Sequence, residues 1–167
     1  SGASWTSQFT VPAPGSGVRI PSDWNFAYDS TGLLHAAVLG GCSTGCNVYH
    51  GTTTDPTLLG AWSWTGGGTK INTAASSGNA DQPWIAVQGG KVFVGYDDFN
   101  GGSGVRVAVS NDNGATFTVD KPPNNGPVAG NLVNPGTRIA TNDAGMVFAI
   151  FGVGDAPSPA GVHNVTY

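Results

Sequence analysis

Three groups of side chains in this 167-residue sequence could do chemistry. The first is the oxygen-rich run Asp97-Asp98-Phe99-Asn100-Gly101, with Asp81 upstream. Clustered oxygens in a glycine-rich loop suit Ca²⁺, but that ion takes six or more ligands and three side chains stand here. A solvated hairpin with an Asx turn accounts for the same residues. Asp97 and Asp98 could also form an acid/base pair, yet consecutive strand residues point to opposite faces and would not converge on one bond. The second group is Cys42-Ser43-Thr44-Gly45-Cys46, with His50 four residues on. Zinc would need three or four convergent ligands, and the remaining histidines, His35 and His163, fall on other strands. A disulfide, Cys42 to Cys46, that pins the loop suits the composition better. The third group is Trp24 and Trp84, at the starts of strand-like runs. Each could stack on the face of a sugar, or simply pack between sheets.

The elements that must position these groups are short strands. Val105–Val109 and Thr116–Val119 alternate in polarity around Asn111-Asp112-Asn113-Gly114, which is a hairpin signal. In such a turn the Asp bonds backbone N–H groups and the Gly supplies a positive φ. Asp112 is therefore expected to be structural. Comparable units precede and follow. Trp24–Tyr28 turns into Leu33–Leu39, then Asn47–His50; Trp84–Val87 turns into Lys91–Tyr96, then Val105–Ser110; Thr137–Ala140 turns into Met146–Phe151, then Gly161–Tyr167. Ala27, Ala86 and Ala140 recur at nearly even spacing. Four short strands per unit predict the blades of a β-propeller, with units at about 1–65, 66–119 and 120–167. A β-sandwich would share the regular strand spacing. Because antiparallel strands alternate, the loops fall on two faces. Arg19, Asp23, Trp24, Cys42–Cys46, Asp81, Trp84, Asp97, Asp98, Asn100, Arg106 and Arg138 are assigned to one, and the Asp112 turn to the other.

Composition narrows the function. Glycine (27 residues) and proline (11) are abundant, charged residues make up only 10%, and 39% of residues are hydrophobic, which describes an ordered, turn-rich, all-β chain. A net charge of −4 argues against nucleic acid, which requires a basic face. No apolar run approaches the roughly 20 residues that span a bilayer. Few lysines, a close cysteine pair and the sequon Asn164-Val165-Thr166 together favour a secreted protein.

Ser110-x-Asp112-x-Gly114-x-Thr116-Phe117 resembles the Asp-box, and the chain resembles the Asp-box (BNR-repeat) propellers of the sialidase superfamily. Gly2-Ala3-Ser4-Trp5 resembles the back half of another box, while Thr53-x-Asp55 and the tryptophans at 62 and 64 resemble a degraded one. The resemblance implies a ring of six blades, of which about three lie here. It also implies that further blades come from a second chain or from a second copy in a homodimer. Arg19-Ile20-Pro21 resembles the motif that opens the first catalytic blade of sialidases, where three arginines grip the substrate carboxylate. Bidentate pairing explains that use of Arg, and this chain has Arg19, Arg106 and Arg138. The pattern then departs. Leu39-Gly40-Gly41-Cys42 stands where the family's acid/base Asp would be, Asp97 and Asp98 hold the equivalent place one blade on, and no Glu accompanies a candidate Tyr.

The expectation is an extracellular propeller segment that binds glycan or protein through its loop face, at Trp24, Trp84, Asp81 and Arg106, without catalysis and without a cofactor beyond a possible Ca²⁺. Two alternatives stand beside it. One is part of a sialidase-like glycoside hydrolase, with Arg19, Arg138, Asp97 and Asp98 as candidate catalytic residues and the rest outside this chain. The other is a scaffold without a ligand.

Overall fold

The computed structural model describes residues 4, 6–19, 23–42, 45–72, 78–99, 104–120, 131–154 and 161–166. Asn100, Trp5 and Tyr167, which figure in the expectations above, lie outside them. Among the described residues eleven strands form three antiparallel sheets. The first sheet is β1 (Trp24–Tyr28), β2 (Leu34–Gly40), β3 (Asn47–Thr53) and β4 (Ser63–Trp64), in that order. The second is β5 (Ala80–Gln88), β6 (Lys91–Asp98), β7 (Gly104–Ser110) and β8 (Thr118–Asp120). The third is β9 (Asn131–Thr141), β10 (Val147–Gly154) and β11 (Gly161–Thr166).

Each sheet is a meander of sequential neighbours, which is how a propeller blade is built. The first strands β1, β5 and β9 lie beside one another in order, so the three sheets stack as consecutive blades. Burial follows from that stacking. Every residue of β2 is buried, because that strand is covered on both of its faces. On the inner face Ala37, Leu39 and Val48 meet Ile85, Val92 and Val94 of blade two. On the outer face Leu34, Ala36 and Val38 meet Val11 and Val18 of the N-terminal segment. Phe93, Val105 and Val107 of blade two meet Ile139, Val147 and Ala149 of blade three. Gly95 permits the close approach of that second pair: a Cβ there would fall 2.8 Å from Ile139 Cγ2 and 3.1 Å from Thr137 Cγ2.

The turn between β7 and β8 is held from within. Ser110 Oγ donates to Asp112 Oδ1 at 2.7 Å and accepts the Gly114 N–H at 2.8 Å. The N–H and hydroxyl of Thr116 both donate to Asp112, at 2.9 and 2.6 Å. The turns at Asp29 and Asp55 follow the same rule, each carboxylate accepting from the N–H and hydroxyl of a threonine two residues on. Cys42 and Cys46 are joined by a disulfide, which removes the zinc reading and indicates an oxidising environment.

Candidate functional site

A cleft of about 370 Å³ opens where the first strands begin. Asp23 and Trp24 enter from the start of β1, Gln82, Pro83 and Trp84 from β5, and Arg138 from β9. The register of β5 against β6 shifts between Asp81 and Trp84. Gln82 sits at that irregularity with φ 46°, a left-handed conformation that a glutamine rarely adopts, and the N–H-less Pro83 follows it. Bulges of this kind re-aim side chains, and this one brings three consecutive residues to the cleft.

The walls are aromatic and the rim is charged. The Arg138 guanidinium lies 4.5 Å above the centre of the Trp84 ring, a cation–π contact. Trp84 also packs on the cluster between blades two and three, so it is both a core residue and a cleft wall. Trp24 is 43% exposed and meets Phe26 edge-on.

Two carboxyls behind the rim are held above the usual range. Burial raises Asp81, the Gln82 N–H works against this, and the charge of Asp23 and a side-chain hydrogen bond with it raise Asp81 further. Burial likewise raises Asp97, opposed by the hydroxyl and N–H of Thr137 and by Arg138, and reinforced by Asp81. Asp23, Asp81, Asp97 and Arg138 therefore form one electrostatic group around the cleft.

The sequence-derived candidates separate accordingly. Trp24, Trp84 and Arg138 line the cleft, and Asp81 stands behind it. Arg106 does not join them: its Nε is 3.1 Å from Asp98 Oδ2 within blade two. Arg19 is exposed, and its carbonyl accepts the Gly41 N–H at 2.9 Å. The expected convergence of three arginines is thus not present, because Arg106 is consumed by its own sheet. Asp97 and Asp98 point apart, one to Thr137 of blade three and the other to Arg106. They do not converge as an acid/base pair; Asn100, the third residue of the calcium expectation, lies outside the described residues, among which no group of three or more His, Cys, Asp or Glu could hold a metal. Ser110, Asp112, Gly114, Thr116 and Phe117 lie at the opposite end of the blades, in the β7–β8 turn. Gln82 and Pro83 were not among the candidates. A proline two residues after a loop aspartate was the available signal, since proline in a strand marks a bulge.

No family profile matches the sequence, and no curated protein resembles it. Solved structures do match the fold. They include the catalytic domain of the GH62 α-L-arabinofuranosidase of Coprinopsis cinerea (TM-score 0.61, 16% identity, 96% of this chain and 50% of that one). The endo-arabinase of Bacteroides thetaiotaomicron matches with TM-score 0.57 and 14% identity, over 95% of this chain and 53% of that one. CoXyl43, a GH43 β-xylosidase/α-arabinofuranosidase from a compost metagenome, matches with TM-score 0.56 and 11% identity, over 84% and 44%. The chain spans about half the length of these structures. Its fold is thus that of part of a five-bladed propeller of the GH43/GH62 type. The propellers it matches have five blades, where the sequence resemblance implied six. The Asp112 turn and the Arg19-Ile20-Pro21 motif, which suggested sialidases, do not carry that membership. The reason is physical: a turn aspartate that caps local N–H groups serves any hairpin.

Proposed function

We propose that this chain is a carbohydrate-binding propeller segment of a secreted protein and that the Trp24–Trp84–Arg138 cleft is its sugar site. The observation that carries this reading is the pairing of two tryptophans with a guanidinium and a carboxylate in one cleft. Rigid indole faces and a few convergent polar groups are what a sugar ring requires. Asp23 lines the cleft with Arg138, Asp81 interacts with Asp23, and Asp97 with Asp81 and Arg138. Carboxyls thus outnumber the one guanidinium of the lining, and the site favours neutral sugars over carboxylate-bearing ones such as sialic acid. Isothermal titration with xylotriose, cellotriose and sialyllactose tests it. Neutral oligosaccharides should bind, and Trp84→Ala should weaken them about tenfold or more, the loss expected when a stacking aromatic is removed. Binding that Trp84→Ala leaves intact would move the site elsewhere.

A second reading is favoured by the Asp81 carboxyl, which burial holds above its ordinary value beside the cleft. A carboxyl held toward its protonated form is what the general acid of glycoside hydrolysis requires. On this reading the chain is part of a glycoside hydrolase, and a further catalytic group lies outside it. The intact protein should then release the aryl group from an aryl arabinofuranoside or xyloside, and Asp81→Asn should stop it. An intact protein that binds but never turns over would eliminate this reading and leave the first.

Both readings involve partners. Trp24, Phe26 and Tyr28 on the outward side of β1, and Phe148 and Ile150 on that of β10, are exposed. They are the faces on which further blades, from a second chain or a second copy, would stack.

A further inference from the structure

A buried polar chain crosses the boundary between the first two blades. It begins in the β1–β2 turn, where Asp29 Oδ2 lies 3.7 Å from His35 Nε2. His35 Nδ1 is 3.1 Å from His50 Nε2, and His50 Nδ1 is 2.7 Å from Thr65 Oγ1. Thr65 Oγ1 then donates to the Gly114 carbonyl of blade two at 2.6 Å. Both imidazoles are fully buried. The site of every proton in this chain follows from its last member. A carbonyl can only accept, so Thr65 spends its one hydroxyl proton on Gly114. Thr65 must accept from His50, which places the His50 proton on Nδ1. Neutral His50 then presents a bare Nε2, so His35 must donate from Nδ1. In the neutral ring that burial favours, His35 Nε2 is left with a lone pair, buried, without a hydrogen-bond partner and facing the Asp29 carboxylate.

We propose that this relay is an acid-opened latch between blades one and two, loaded from its Asp29 end. The first proton, taken from solvent, enters at His35 Nε2 and breaks no bond, since that lone pair is unused. The second must enter at His50 Nε2, whose lone pair already accepts from His35. It breaks that hydrogen bond, sets two imidazolium rings against each other and unseats Thr65 from Gly114. Asp29 and the two rings are the titratable groups facing the pair among the described residues. Blade two presents Gly114 and the Phe117 ring, and blade one adds the Thr65 hydroxyl; none of these titrates. A second positive charge therefore meets no compensating one. Burial depresses both histidines, in agreement with this geometry.

Long-range ¹H–¹⁵N NMR of the imidazoles, combined with amide hydrogen exchange from neutral to about pH 4, tests the latch. At neutral pH both rings should carry their proton on Nδ1. On acidification the 110–116 turn, corrected for intrinsic rates, should exchange about tenfold faster or more, while β10 does not. A proton on Nε2 of either ring at neutral pH, or acceleration spread evenly over all three blades, would overturn the proposal. Asp29→Asn supplies the control. Its amide oxygen can still accept from Thr31 and Leu33, and its NH₂ can donate to His35 Nε2. Opening should shift to lower pH with neutral-pH stability retained. Opening at the wild-type pH in Asp29→Asn would overturn the role of Asp29 as the loading end.

Discussion

The two ends of the blades use the same residue types in opposite ways. At the end that carries the β7–β8 turn, aspartates are surrounded by donors. Hydrogen bonds from the Ser110 hydroxyl, and then from the hydroxyl and N–H of Thr116, lower the Asp112 carboxyl to about 2. Burial pushes Asp29 up, but the Thr31 and Leu33 hydrogen bonds outweigh it and the carboxyl falls below its usual value. At the cleft end, Asp81 and Asp97 have fewer donors and like-charged neighbours, and both rise. A carboxylate at the first end is satisfied by its own turn and completes a fold. A carboxylate at the second is left in part for something else, and that is the usual mark of a functional site.

The comparison can be broken most forcefully at the closed end. Gly114 has φ +88°, and a Cβ there would fall on the buried His50 ring. Gly114→Ala should cost about 3 kcal/mol or more, because backbone strain and overpacking add. Chemical denaturation reads it. If the protein tolerates the alanine with a small loss, the interblade junction is less tight than the structure shows. Trp84→Ala strikes the open end. It removes half-buried packing and the cation–π contact with Arg138, so about 2 kcal/mol of stability should go with the sugar binding. A variant that keeps its fold but loses binding separates the two roles of that ring.

How much of this was legible in the sequence also differs between the two ends. The β7–β8 hairpin is a local object: the side chains of Ser110, Asp112 and Thr116 and the Gly114 N–H bond within eight consecutive residues, so the pattern announces the structure. The strands were legible for the same reason, although β5 and β9 run several residues beyond the apolar runs that predicted them. The cleft is not local. Trp24, Trp84 and Arg138 belong to three blades, and which of them meet depends on how those blades stack. The pairing of Arg106 with Asp98 rather than with the cleft is a cross-strand choice that spacing alone does not reveal. The His35–His50 pair was similarly hidden: each histidine sits on its own strand, and only the β2–β3 register makes them neighbours.

Titration sharpens the contrast with a smaller effect, and the signs are opposite. His50 is depressed to about 3, chiefly by burial and then by the charge of His35. Its folded value lies below its unfolded one, so stability is complete above about pH 6.5 and is lost as pH falls from there toward 3. Asp97 is raised, so its contribution is present below the unfolded aspartate value and is lost as pH rises through the folded one. Asp97→Asn keeps an oxygen to accept from Thr137 N and Oγ1 and removes the charge. Its stability should no longer fall on the alkaline side of that transition, while the acid loss due to His50 remains. Thermal midpoints across pH would show both. An Asp97→Asn protein with an unchanged alkaline slope would mean that Asp97 does not titrate where its surroundings place it.

The finest test uses Gln82, the strained non-glycine residue of the open end among the described residues. Gln82 holds φ 46° inside β5, and its N–H donates to Asp81 Oδ1 at 2.9 Å. Glycine adopts that backbone without strain, so Gln82→Gly should gain stability of about 1 kcal/mol, offset in part by the extra freedom of the unfolded chain. The N–H to Asp81 would persist, leaving the carboxyl environment in place. If Gln82 is retained for its side chain, sugar affinity should fall as stability rises. Gln82→Ala, which keeps the strain and loses the amide, should match the affinity loss without the gain. Equal affinities in all three proteins would mean that the strain serves the Asp81 geometry alone and that the glutamine amide reads nothing in the cleft.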